Sequence, residues 1–172
     1  MNNLLVVIDD ISNAECDIIV NASNGVGYMG GKASVKRRMK GVAESLNYVT
    51  GGKLEKVSLQ TARRNSKISS WIYGINKGGF FVTDSCGLKC KKVFHAVTMR
   101  YPACRSDIKT IKKLLHSLAM WCREKQYKTV ALPLLGCGNG NIDVVLVEIE
   151  IGKMACEFAD LQFCLYVKNK KE

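Results

Sequence analysis

No stretch of this 172-residue chain is apolar for the length that a bilayer-spanning helix needs. The first apolar run, Leu4 to Ile8, lacks a basic start and is broken by Asp9 and Asp10, so it does not read as a secretory signal. The pattern GxxxxGK[ST] is missing, as is a clean GxGxxG after a first strand, which excludes an evident ATPase and a standard dinucleotide enzyme. Histidine is scarce, at two residues, against eight cysteines. Cys86 and Cys90 in CGLKC have metal-compatible spacing, but no second pair or histidine cluster completes them and only His95 lies near, so no metal is expected. Cys16, Cys122, Cys156 and Cys164 instead sit in apolar runs, where cysteine acts as a small hydrophobe. No internal repeat, low-complexity segment or linker divides the chain. These absences lead to the expectation of a single cytoplasmic domain over residues 1–172, monomeric, with reduced thiols and no membrane association.

Acidic residues are also in short supply, 15 against 26 Lys and Arg, for a formal charge of +11. The excess favours an anionic ligand at long range. Much of it is scattered, as in Lys36, Arg37, Arg38 and Lys40, Lys91 and Lys92, and the tail Lys168, Lys170 and Lys171. Scatter of that kind marks an ordinary solvated face, and nucleic acid stays open as an alternative partner.

What is present is a regular alternation of two periods. LLVVI and CDIIVNAS are short β-branched runs bounded by polar residues, which predicts strands. Over residues 32–49, Val35, Met39, Val42, Leu46 and Val49 recur at helical spacing, which predicts one amphipathic helix stopped by TGG at residues 50–52. A second helix is predicted from about Leu54 towards Arg64. The polar, glycine-bearing stretch over residues 65–79, with Trp71, Ile72 and Tyr73 as an apolar island, matches neither period. GFFVT and KKVFHAV read as strands. A helix then follows a cap at Ser106 or Asp107, with Ile108, Ile111, Leu115, Leu118 and Cys122 on one face. KTVALPLL and DLQFCLYV are the last strands. The segment between them is rich in β-branched residues, yet Ile142, Val145, Leu146 and Ile149 keep helical spacing and two parallel neighbours need a crossover, so it is predicted helical. The alternation implies a three-layer α/β/α sandwich around a mixed, largely parallel sheet.

In such sheets ligands bind beyond the carboxyl ends of the strands. Two loops fall there: NASNGVGYMGGK, residues 21–32, and LGCGNGN, residues 135–141. Glycines let backbone N–H groups turn towards a ligand, and helix starts add partial positive charge, so the pair can hold a diphosphate from two sides.

DDIS, CDIIVNASN, a glycine loop, VFHAVT and ALPLLGCGNG, in that order, resemble a macrodomain, the ADP-ribose-binding module, over nearly the whole chain. The loops are most similar to the branch with terminal ADP-ribose glycohydrolases and DNA ADP-ribosyl glycohydrolase antitoxins, and to stand-alone microbial macrodomains. The resemblance implies that Asp10 accepts from the adenine amino group with Ile11 beside it, and that Asn24 reaches the distal ribose. It implies backbone donors at Gly30 and Gly31, and a diphosphate wrapped by Gly136, Cys137, Gly138, Asn139 and Gly140. Ala22, Pro133 and Leu135 complete the expected ligand-binding set. No cofactor is implied, and Gly138 is expected at positive φ.

The chain departs from the family at the positions that carry catalysis. Ser34 stands where one hydrolase type has an Asp soon after the glycines, Met99 where another has a lysine, and Gly140 where that branch has its acidic partner. Without those groups, general-base and covalent routes lose their agents. Asp143 reads as a helix cap, His95 as a packed core histidine, and Cys137 as a thiol without an assured histidine partner. The expected function is recognition of ADP-ribose, free or attached to a macromolecule. The alternative is a hydrolase acting on modified protein, nucleic acid or O-acetyl-ADP-ribose, with Asn24 positioning water as its tentative catalytic residue.

Overall fold

The computed structural model describes residues 3–66 and 73–168. Its six strands are β1 (Leu4–Ile8), β2 (Cys16–Asn24), β3 (Phe80–Asp84), β4 (Cys90–Met99), β5 (Thr129–Pro133) and β6 (Gln162–Val167). They form one sheet in the order β1-β6-β5-β2-β4-β3. Four of the pairings are parallel, and only the edge strand β3 runs antiparallel, against β4. The carboxyl ends of β1, β6, β5, β2 and β4 therefore share one rim.

Both faces are covered, as the three-layer reading requires. The central strands are apolar in both directions because each face packs on helices. Ile18, Val20, Val130, Leu132, Phe94 and Phe163 meet Ile111, Leu115 and Leu118 of α4 (Ile108–Glu124) and Val147, Ile151 and Met154 of α5 (Val144–Glu157). On the other face Ile19, Val93 and Ala131 meet Met29, Leu46 of α2 (Val42–Val49) and Leu54 of α3 (Lys53–Asn65). Asp107 caps α4 through the Thr110 N–H at 2.8 Å, and Asp143 caps α5 through the Val145 N–H at 2.8 Å. The β-branched segment before β6 is helical, as its spacing and the parallel β5–β6 pairing demand.

One element differs from the sequence expectation. Residues 32–49 do not form a continuous helix but a short α1 (Gly31–Lys36) and the separate α2, with Gly41 extended at the start of the latter. The intervening residues Arg37, Arg38 and Lys40 bring cations, and Gly41 costs helix propensity, so the apolar period runs across a break that packing imposes. Of the stretch that matched neither period, residues 67–72, with Trp71 and Ile72, lie outside the described residues.

Candidate functional site

The first loop is braced from within. Asn24, at the end of β2, accepts the N–H groups of Val26 and Tyr28 on Oδ1 (3.2 and 3.1 Å) and donates from Nδ2 to the Tyr28 carbonyl (2.8 Å). This is the side-chain turn that asparagine forms after a strand. Glu55 of α3, which is buried, accepts the N–H groups of Met29 (2.7 Å) and Gly31 (3.0 Å) on Oε1, while Asn47 of α2 donates to its Oε2 at 3.2 Å. The Gly31 donor is thus taken within the protein, contrary to the sequence expectation, and Gly30 is the loop's remaining glycine donor at the rim. Glu55 is also a determinant that the sequence reading missed: it sits 24 residues from Gly31 on an ordinary amphipathic helix.

The second loop is the opposite case. Its turn is closed by Cys137 N–H to Leu134, Asn141 N–H to Gly138 and Ile142 N–H to Gly136. Among the described residues, the successive N–H groups of Gly138, Asn139 and Gly140 meet no acceptor. Gly136 has φ +79° and a Cβ there would lie 2.7 Å from Ile142 Cδ1, so the turn itself needs that glycine. Gly138 differs from expectation: its φ is not in the left-handed region and a Cβ would meet open space. The fold makes no demand for glycine there.

Between the loops lies a cavity of about 500 Å³. Of the residues expected at a ligand, Ala22, Asn24, Gly30, Gly136, Gly138, Asn139 and Gly140 line it. Thr98, Met99 and Pro102 close it from the β4 end, joined by Ala103, whose φ of 65° is unusual for a residue with a side chain. Lys40 and Glu44 are its charged lining residues, the first in the helix break that the sequence period hid and the second in the opening turn of α2. A neighbouring cavity of about 420 Å³ holds Asp10, Arg38 and Lys168, and Lys40 lines both.

Asp10 is crowded with donors. Its carboxylate accepts Ser12 N–H (2.9 Å) and Ser45 Oγ (2.6 Å), and pairs with Arg38 (3.2 Å) and Lys168 (3.1 Å). Burial disfavours its charge, but the bonds from Ser45, Ser12 and Lys168 outweigh that and hold the carboxyl well below the usual range. Ile11, Pro133 and Leu135 are not at the cavity surface: Ile11 and Leu135 belong to the core, and Pro133 ends a buried strand. Cys137 also lies off the cavity lining, and burial, with the Asp143 and Glu148 carboxylates, pushes its thiol up, away from a nucleophile.

The positions of catalytic departure are equally plain. Ser34 is buried, donates to the Gly31 carbonyl (2.9 Å) and accepts from Asn47 (2.9 Å). Met99 and Gly140 face the cavity with nothing ionisable. His95 is wholly buried, stacked on Phe81 and flanked by Asn21 (3.1 Å) and Thr83 (2.9 Å). Burial pushes its pKa down to about 3, so the ring is neutral. Among the described residues no group of three or more His, Cys, Asp or Glu could hold a metal ion, and no helix is long and apolar enough to cross a membrane.

A six-stranded mixed sheet between helices, with glycine loops at its carboxyl rim, is the architecture of a known family. The Macro domain family model matches residues 20–149, and the chain belongs to that family. The macrodomain of Mycobacterium tuberculosis DarG superposes with a TM-score of 0.76 over 95% of this chain and 96% of its own, at 24% identity. A Trypanosoma brucei macrodomain in complex with ADP-ribose gives 0.70 over 96% of this chain and 63% of its own, at 16% identity. An uncharacterized protein of Aquifex aeolicus (strain VF5) is 29% identical over 140 residues, which is 81% of this chain and 73% of that one.

Proposed function

We propose that this macrodomain binds ADP-ribose, free or as a modification on a macromolecule, and acts as a recognition module. The observation that carries the reading is the run of unpartnered N–H groups at Gly138, Asn139 and Gly140 on the wall of a cavity whose opposite wall is held rigid by Glu55 and Asn24. Such a nest suits phosphate oxygens, which accept several backbone donors at once. The volume fits a ligand of nucleotide size. The bound ADP-ribose of the Trypanosoma brucei macrodomain supports the same choice.

The diphosphate lies against residues 138–140 and Gly30, and the adenine lies towards Asp10. The amino group reaches Asp10 only if Arg38 or Lys168 gives way. Both cations are substantially exposed and regain water on leaving, while Asp10 keeps the bonds from Ser12 and Ser45. Asn24 shapes the loop rather than activating water, because its side-chain polar atoms already bond the backbone.

Titration calorimetry with ADP-ribose, AMP and ribose phosphate tests the reading. ADP-ribose should bind better than either fragment, and equal affinity for AMP and ADP-ribose would overturn it. A shallow salt dependence is expected for one enclosed diphosphate, and a steep one would favour a nucleic-acid surface instead.

A further inference from the structure

Strand β1 stands at the edge of the sheet, with one side hydrogen-bonded to β6 and the other unpaired among the described residues. Natural edge strands are blunted by lysine, proline or a bulge. This one reads LLVVI, with Leu5, Val6 and Ile8 exposed by 49, 64 and 70%.

Helix α5 continues the apolar surface. Glu150 and Glu157 turn towards α4, where they meet Lys112 and His116, and Val147, Ile151 and Ala155 pack inward. By helical period, Val145, Ile149, Gly152 and Cys156 therefore lie on the side away from α4, above the β1 edge. Leu4 packs against the same core cluster, and Asn3 donates to the carbonyls of Ala155 and Phe158, which fixes the strand beneath the helix. Of the described residues on that side of α5, only Glu148 is charged.

We propose that this edge, β1 with the outer side of α5, is the interface of a homodimer. A twofold axis through Val6, normal to the sheet, pairs β1 antiparallel with its copy. Leu4 then faces the partner's Ile8 and Leu5 faces the partner's Val7, so the register is apolar throughout. The same axis sets both α5 helices side by side on one face of the continuous sheet. Gly152 has nothing within 4 Å of a would-be Cβ, leaving room for close helix approach.

The area is of the right size for that occupant. At their fractional exposures, Leu5, Val6, Ile8, Val145 and Ile149 leave roughly 500 Å² of surface open, well over half of the about 800 Å² per partner of a standard interface. It is also towards the upper end of what a monomer leaves uncovered. The main-chain groups of β1 offer directional bonds to an added strand, and a second copy supplies that strand in an apolar register. The dimer stands against the monomer expected from sequence, and although Ile8 borders the Asp10 cavity, Val6 and Ile149 line neither cavity, so substitutions there separate the dimer from the ligand reading.

Sedimentation equilibrium across the micromolar range tests it, with Val6→Lys and Ile149→Glu as separate variants. A dimer is expected for the unaltered chain. At least tenfold weaker association is expected in each variant, with far-UV circular dichroism and ADP-ribose titration unchanged. The helix variant keeps the test valid if the strand variant does not fold. A monomer throughout that range, or a dimer that survives both substitutions, would overturn the proposal.

Discussion

The Glu55 carboxylate lies 2.7 Å from the backbone nitrogen of Met29 and 3.0 Å from that of Gly31, so one buried side chain of α3 fixes the position of the first glycine loop. Removing it leaves the two backbone donors without their acceptor, while Asn47 Nδ2 keeps only its bond to Ser34. Glu55→Ala should lower unfolding free energy by at least about 2 kcal/mol, since each unsatisfied buried donor costs on that order. ADP-ribose affinity should fall with it as the loop loosens. Urea denaturation and calorimetry read the two effects, and wild-type stability would show that the loop holds itself.

The two glycines of the second loop should behave differently. Gly138→Val should unfold like the parent, within about 0.5 kcal/mol, because the position has neither positive φ nor a crowded Cβ. Its side chain would enter the cavity, and ADP-ribose affinity should fall at least tenfold. Gly136→Ala should destabilise the fold by about 1–3 kcal/mol, from a left-handed φ and the contact with Ile142. Normal binding by a folded Gly138→Val protein would remove the second loop from the site.

These contrasts show where sequence reading reaches and where it stops. Period and cap residues locate the strands and α3 to α5, because the core stripe of α4 and the caps Asp107 and Asp143 are local signals. The same reasoning makes one helix of residues 32–49, since the apolar period persists through Gly41 while the backbone does not. That break places Lys40 and Glu44 in the cavity wall. Glycine content marks both loops as ligand-facing, yet which N–H groups remain free depends on Glu55, a contact across 24 residues that no motif records. Asn24 and Asp10, expected at the ligand, also hold local backbone, the first as a turn and the second as a cap.

Burial of His95 gives the fold an acid-side sensitivity. The unfolded chain takes up a proton as the pH falls below about 6.5, whereas folded His95 stays neutral down to about pH 3. Its contribution to stability is therefore full above the first value and is lost progressively as the pH falls towards the second. The slope is up to about 1.4 kcal/mol per pH unit. His95→Gln should be less stable at pH 7 yet show a flatter decline from pH 6 to 4. An unchanged slope in urea titrations at stepped pH would exclude His95 as the source.

Asp10→Ala should reduce ADP-ribose affinity by about 1–2 kcal/mol if the carboxylate receives the adenine amine. Arg38→Ala and Lys168→Ala supply the comparison, because they release the same carboxylate from its cations without removing it. Each should leave ADP-ribose affinity unchanged or slightly improved. Loss of affinity in the cation variants, with none in Asp10→Ala, would place the anionic part of the ligand at this end and reverse its direction in the cleft.

Turnover is the remaining question for the cavity. Met99 and Gly140 bring no ionisable group to it and Ser34 is held in the core, so hydrolysis of the ADP-ribosyl bond should be slow or absent while binding is retained. Positioned acid or base groups usually contribute about 10²–10⁴-fold. Among the described residues Glu44 is the one carboxylate in the wall, at the first turn of α2 and close against Gly30, with its Cγ 2.8 Å from where a Gly30 Cβ would be. A negative charge there opposes a diphosphate, so Glu44→Gln should tighten ADP-ribose binding severalfold, more at low salt than at high. Single-turnover assays with excess protein on ADP-ribosylated protein, ADP-ribosylated DNA and O-acetyl-ADP-ribose complete the test. Fast release by the parent, abolished in Glu44→Gln, would make that carboxylate a general base and this macrodomain an enzyme.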